Sequence, residues 1–245
     1  MFTNKKANEG DSFLSAEHLE AAANGRLLAR PSRAVEQAER AGRHTLRLDT
    51  PRDGLLYVPA GYRHEQPAPL VVMLHGAGGE AEQSLSLTRQ FADEFGCVVL
   101  APDSRRATWD VINGRYGADV AFLNRALEQT FSLCAVNPQA CAIGGFSDGA
   151  SYALSLGLTN GDLFTHVMAF SPGFMSPASR QGNPRLFISH GTRDRVLPVE
   201  RCSRRIASQV ESAGYELRYR EFEGGHTVPL EIAREAFDWF ISKHD

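Results

Sequence analysis

From residue 44 onward the chain alternates between short apolar runs and longer amphipathic stretches. Leu70-Val71-Val72-Met73-Leu74 and Cys97-Val98-Val99-Leu100 are continuous apolar runs, the pattern of strands buried on both faces of a parallel sheet. The run ending at Gly145 and the segments His166–Phe170, Arg185–Ser189 and Leu217–Phe222 are also predicted strands. Between them, helical spacing predicts helices up to Phe95, over Asp119–Phe131, from Tyr152 to Leu158, over Val199–Ser212 and over Pro229–Ser242. Upstream, His44–Leu48 alternates, Pro51-Arg52-Asp53-Gly54 reads as a turn, and Leu55–Pro59 resumes, predicting an antiparallel hairpin. Strands alternating with helices need crossovers. The expected fold is α/β, a mostly parallel, doubly wound sheet with helices on both faces. No internal repeat or linker interrupts residues 43–245, which read as a single domain. Residues 1–42 carry helix signals at Ser15–Asn24, closed by Gly25, and at Arg33–Ala41, closed by Gly42, but no strong apolar stripe. They are expected to form an N-terminal arm or wrap, packed on the domain or mobile.

One junction organises the rest. The run Ala142-Ile143-Gly144 ends in Gly145-Phe146-Ser147-Asp148-Gly149, and an amphipathic stretch follows. A Gly-x-Ser-x-Gly match alone is weak, but strand before and helix after make it a nucleophile elbow. Small residues two positions either side of Ser147 let strand and helix approach closely. The helix N-terminus beside Ser147 favours developing negative charge.

In open α/β sheets ligands sit outside the carboxyl ends of the strands, so partners for Ser147 belong in the loops that follow them. Asp194 lies in the loop after Arg185–Ser189, and His226 in the loop after Leu217–Phe222. A neutral hydroxyl is a poor nucleophile. His226 is placed to take the proton of Ser147, with Asp194 holding the imidazole tautomer and stabilising its charged form. The order Ser, Asp, His is that of α/β-hydrolases. Asp103 also follows a strand, but precedes the serine and ranks second as the acid. His75 and His190, both in His-Gly pairs, read as structural, with His190 the fallback base. The oxyanion hole needs two N–H donors, expected from Asp148 and from the His75–Gly79 loop, with Ala77 preferred over Gly76 or Gly78. The Asp148 carboxylate must then be paired or turned away.

A formal charge of -3 over 245 residues argues against nucleic acid as a partner. No apolar run reaches the length of a membrane span, and no apolar core follows Lys5-Lys6, so integral membrane association is not expected and a cytoplasmic location is. Cys97, Cys134, Cys141 and Cys202 lack CxxC or zinc spacing and are expected to be thiols, a Cys134–Cys141 bridge being the alternative. The histidines show no HxxxH or HExxH spacing, so no metal site is expected.

Leu74-His75-Gly76-Ala77-Gly78-Gly79, Gly145-Phe146-Ser147-Asp148-Gly149-Ala150, His190-Gly191-Thr192-Arg193-Asp194-Arg195-Val196-Leu197-Pro198 and Gly225-His226 together resemble the phospholipase/carboxylesterase family of serine hydrolases, over roughly residues 65 to 243. Ala101-Pro102-Asp103-Ser104 with Thr108-Trp109-Asp110 resembles the feruloyl-esterase and polyhydroxybutyrate-depolymerase-like esterases. The resemblance implies an α/β-hydrolase fold and hydrolysis of a small ester or thioester without a cofactor. It carries the catalytic roles onto Ser147, Asp194 and His226 and the oxyanion donors onto Ala77 and Asp148. Two features depart from it: Asp148 stands where many carboxylesterases have Gln, and the first forty residues are extra. A serine peptidase and a non-catalytic ligand-binding homologue are the other readings. The oligomeric state is left open.

The connection Ser171–Pro184 is too short for a multi-helix cap, so no large cap domain and an open cleft are expected. Trp109, Phe174 and Met175 are the apolar residues placed by sequence to line it.

Overall fold

The computed structural model of the chain describes residues 15–31, 40–48 and 50–242. In order these form α1 (Ala16–Ala23), β1 (Gly42–Thr45), β2 (Gly54–Val58), β3 (Ala68–Leu74), α2 (Ala81–Phe95), β4 (Val98–Pro102), α3 (Ala118–Leu133), β5 (Val136–Phe146), α4 (Asp148–Thr159), β6 (His166–Phe170), β7 (Arg185–Gly191), α5 (Ser203–Ser212), β8 (Leu217–Phe222) and α6 (Leu230–Ile241). The strands make one sheet in the order β1-β2-β4-β3-β5-β6-β7-β8. β3 to β8 run parallel, and β2 is antiparallel to both β1 and β4. This is the α/β-hydrolase fold.

Strand period decides the layering, since successive side chains point to opposite faces. Leu70, Val72 and Leu74 of β3 pack with α1, α3, α4 and α5 through Ala22, Leu123, Leu156 and Val210. Val71 and Met73 face α2 and α6 through Leu85, Phe91 and Phe237. Leu70 to Leu74 are wholly buried, which is why this strand shows no alternation of polarity. Every residue of α4 after Asp148 is buried, so the helix that follows the elbow sits in the interior.

Two predicted boundaries move for local reasons. β1 stops at Thr45 rather than Leu48, because Arg47 adopts φ 58° and the Asp53 carboxylate accepts the N–H groups of Arg47 and Leu48 at 2.7 and 3.2 Å. α5 starts at Ser203, after a turn over 199–202. The predicted helix Arg33–Ala41 falls mostly on residues outside those described. A short 3₁₀ helix at Asp110–Asn113 was not anticipated.

Residues 15–31 lie against the sheet domain through side-chain amides. Asn160 Oδ1 accepts from Leu27 N and its Nδ2 donates to Gly25 O, while Asn124 Oδ1 accepts from Leu28 N and Ala29 N. Leu27 is fully buried. Arg26 forms a two-pronged pair with Asp162 at 2.9 and 2.8 Å, and Arg30 joins the same carboxylate.

Residues 171–184 contain no helix, so no multi-helix cap is inserted at this connection. A ladder on α4 holds the first half of this segment down. Ser151, Ser155 and Thr159 each donate to the carbonyl four residues back. Their oxygens also accept from Gly173 N and Phe174 N, from Ser176 N, and from Ala178 N.

Candidate active site

The sharp turn between β5 and α4 presents Ser147. Its backbone has φ 57° and ψ -120°, a region costing a non-glycine residue about 1–3 kcal/mol and found where surrounding structure over-determines it. The flanking glycines explain how. A Cβ on Gly145 would lie 2.3 Å from Gly149 C, and one on Gly149 would lie 2.4 Å from Leu74 O and 2.5 Å from His75 O. All of these are backbone atoms with no freedom to withdraw.

The three predicted side chains meet. His226 Nε2 lies 2.9 Å from Ser147 Oγ, and His226 Nδ1 lies 2.6 Å from Asp194 Oδ2. Because Nδ1 faces a carboxylate it carries the proton, leaving Nε2 to accept from Ser147. Asp194 is itself fixed. Its Oδ1 accepts from Val196 N and Leu197 N, both at 2.8 Å. Burial pushes its pKa up, but the bonds from Leu197 N, His226 and Val196 N outweigh this and hold it below the ordinary carboxylate value. Phe146 packs against the His226 ring at 4.7 Å between centroids.

The other histidines and Asp103 are engaged elsewhere. His75 Nδ1 donates to Gly76 O and its Nε2 accepts from Ser104 N. His190 is buried, with Nε2 donating to Leu197 O at 2.7 Å and lying 3.2 Å from Asp194 Oδ2, so it packs behind Asp194 and is not the partner of Ser147. Burial lowers the pKa of both rings, which favours their neutral forms. Asp103 Oδ1 accepts from Ala81 N, capping α2, whose own N-cap residue Glu80 makes no side-chain cap.

The segment between β4 and the 3₁₀ helix grips both sides of the expected oxyanion hole. Ala107 O accepts from Gly78 N, and Gly76 O accepts from Gly79 N. These bonds take Gly78 out of consideration as a donor and leave Ala77 and Gly76. Thr108 Oγ1 donates to Asp148 Oδ2 at 2.6 Å, so the Asp148 carboxylate is paired, as an oxyanion at its N–H requires. Trp109 corrects the sequence reading. It is wholly buried and cannot line a cleft; its Nε1 donates to His75 O at 2.9 Å and its ring stacks on Tyr152. Phe174 and Met175 are half-buried and packed against the core.

Sequence reasoning missed a recess of about 250 Å³ bounded by His226, Gly76 and Phe146 and floored by Met73 and Ser84 of β3 and α2. Leu87 and Val228 form its walls. Its signal was present: Gln83, Ser84 and Leu87 share one face of the helix that leaves the glycine-rich loop, and Val228 follows His226 by two residues. Among the described residues no group of three or more His, Cys, Asp or Glu is arranged to hold a metal ion, and no helix is long and apolar enough to cross a membrane.

Solved structures with the same fold include esterase PE8, with TM-score 0.63 and 23% identity, over 76% of this chain and 96% of that one. A ferulic acid esterase from Anaeromyces mucronatus, in complex with ferulic acid, has TM-score 0.62 and 19% identity, over 86% and 96%. Among curated proteins, feruloyl esterase C of Emericella nidulans is 27% identical over 157 residues, 61% of this chain and 57% of that protein. The chain therefore spans under three-fifths of the length of that relative, and of the Aspergillus niger protein of similar name. Residues 45–230, which run from the end of β1 to the start of α6 and hold every residue of the Ser147–His226–Asp194 chain, match the Esterase family model, and the chain belongs to that family.

Proposed function

We propose that the protein is a serine esterase that hydrolyses carboxylic esters or thioesters of compact substrates through an acyl-enzyme. The observation that carries this is the continuous hydrogen-bond chain from Asp194 through His226 to Ser147, ending on a strained elbow. Ser147 Oγ attacks the carbonyl carbon as its proton passes to His226 Nε2. The carbonyl oxygen gains negative charge, met by the N–H groups of Asp148 and Ala77 and by the N-terminus of α4. On collapse the carbon–oxygen or carbon–sulfur bond to the leaving group breaks, and His226 returns its proton to the departing atom. Water then repeats the sequence on the acyl-serine and frees the acid. No cofactor takes part in this scheme.

A feruloyl-type acyl group is a second reading, supported by the names of the relatives. A reducing compartment such as the cytoplasm fits a chain whose four cysteines are all thiols. The decisive test combines Ser147→Ala with a serine-reactive phosphonate. Hydrolysis of 4-nitrophenyl acetate is expected to fall by on the order of 10⁴ to 10⁶, and the phosphonate should add once, at Ser147. A variant that keeps its activity, or labelling at another residue, would end the proposal.

A further inference from the structure

We propose that the recess beside His226 seats the alcohol part of the ester, and that Ser84 on its floor hydrogen-bonds a polar substituent at the far end of that alcohol; this rests on the Ser147 reading above. The direction follows from proton transfer. The leaving oxygen must lie within reach of His226 Nε2 to receive its proton. The group attached to that oxygen therefore lies on the His226 side of Ser147. His226, Thr227 and Val228 line the recess, whereas Asp148 and Thr108 do not.

Size and chemistry narrow the occupant. An apolar cavity of about 150 Å³ holds a benzene ring, so a recess of about 250 Å³ has room for a ring with a short substituent. Leu87, Phe146 and Val228 supply apolar walls. The floor differs. Ser84 is 3% exposed, and its Oγ has no hydrogen-bond partner. A buried helical serine can return its hydroxyl to the carbonyl four residues back, as Ser151 and Ser155 do here. Ser84 does not, and a buried hydroxyl without a partner is costly until a ligand satisfies it. The fitting alcohol has a ring-sized apolar body and a distal hydroxyl or carbonyl.

The chemistry limits when Ser84 acts. In acylation the bond from Ser147 Oγ to the acyl carbon forms, the bond from that carbon to the alcohol oxygen breaks, and the serine proton reaches that oxygen through His226. Once the alcohol has left, hydrolysis of the acyl-serine no longer involves the recess. Ser84 is thus a specificity residue of acylation.

Two pairs of esters test this, each member of one pair being an isomer of its counterpart in the other. The first pair is 2-(4-hydroxyphenyl)ethyl acetate and 2-phenylethyl acetate. The second reverses the ester, as methyl 3-(4-hydroxyphenyl)propanoate and methyl 3-phenylpropanoate. In the native enzyme kcat/KM should favour the hydroxylated acetate by about 3- to 10-fold, the scale of one net hydrogen bond. Ser84→Ala should erase that preference, and the reversed pair should show no dependence on Ser84. A preference that survives Ser84→Ala, or one that depends on Ser84 only in the reversed pair, overturns the assignment. Leu87→Trp fills the same space from the wall and should lower kcat/KM for both arylethyl acetates relative to methyl acetate. An unchanged ratio also overturns it. Binding of 2-(4-hydroxyphenyl)ethanol to the Ser147→Ala protein, measured by calorimetry, needs no turnover and separates the two readings. Ser84-dependent binding in a protein whose native form hydrolyses no ester would sink the Ser147 reading and keep the recess as a binding site. Turnover with no Ser84 dependence in binding or rate would do the reverse.

Discussion

Replacing Asp194 by Asn tests the hydrogen-bond chain with the least change of shape. The amide oxygen can keep the place of Oδ1, where Val196 N and Leu197 N donate. The NH₂ then occupies the place of Oδ2, 2.6 Å from His226 Nδ1. Two donors cannot face each other, so His226 must move its proton to Nε2. That nitrogen then points a hydrogen at Ser147 and no longer accepts one. The equivalent change in a Ser-His-Asp triad lowers kcat about 10⁴-fold, which corresponds to about 5 kcal/mol of transition-state stabilisation. The structure adds a second cost. His190 Nε2, which donates to Leu197 O, lies 3.2 Å from Asp194 Oδ2. The second hydrogen of an Asn NH₂ placed there would face this donor with no acceptor, and a buried donor without a partner costs about 1–3 kcal/mol. For a chain of this size that is roughly 2–4 °C of melting temperature per kcal/mol. Asp194→Asn is therefore expected to remain folded, melt several degrees lower, and release 4-nitrophenol from its acetate about 10⁴-fold more slowly. A folded variant within tenfold of the native kcat would refute the argument, because the tautomer would then not be set by Asp194.

Three further outcomes follow from particular contacts. Gly149→Ala places a methyl 2.4 Å from Leu74 O, so it should destabilise by at least about 1–3 kcal/mol and depress esterase activity; a native-like melt would show that β3 and α4 can separate. Asp162 has its pKa lowered to about 2, where burial raises it but Arg26 and Arg30 prevail. A depressed carboxylate contributes stability above its unfolded value near 4, and that contribution is lost as pH falls towards 2. The protection of Leu27–Ala29 against hydrogen exchange, relative to the intrinsic rate at each pH, should fall over that window, and in Asp162→Asn it should be low already at neutral pH; protection indifferent to both would remove Asp162 as the clamp. Ser155→Ala removes the acceptor for Ser176 N, and exchange at Ser176 should rise while the core of α4 stays protected; no change would mean the ladder does not hold the 171–178 segment.

The parts legible in the sequence are those with a strict period or a strict steric demand. Strands wholly buried on both faces appear as unbroken apolar runs, which is why Leu70–Leu74 is legible from sequence alone. Gly145 and Gly149 mark the elbow because no other residue fits against backbone at 2.3–2.4 Å. His226 and Asp194 are legible as candidates because loops at strand ends carry few titratable residues and the fold fixes which ends are adjacent. Side-chain direction was not legible. Trp109 stands near the site in sequence, yet its indole N–H needs an acceptor when buried, and it finds His75 O inside the fold. The α4 ladder lay hidden because Ser151, Ser155 and Thr159, four residues apart, look like a solvated helix face. They are polar because a loop covers them and needs acceptors for its N–H groups.

The same requirement links the two halves of the proposed oxyanion hole. Its donors come from loops far apart in sequence, after β3 and after β5, and each donor is useful only if it is aimed before the charge develops. Residues 104–109 join them. Ser104 N donates to the His75 ring, Ala107 O accepts from Gly78 N, Trp109 Nε1 donates to His75 O, and Thr108 Oγ1 donates to the Asp148 carboxylate. Four contacts from six residues thus fix the glycine-rich loop and the residue after Ser147 against one another. Asp148 can stand beside a developing oxyanion only because Thr108 satisfies its side chain. Removing the hydroxyl by Thr108→Val would free that carboxylate to turn towards the hole, where like charge opposes the transition state. The loss should then appear in kcat more than in KM, since the charge is absent from bound substrate.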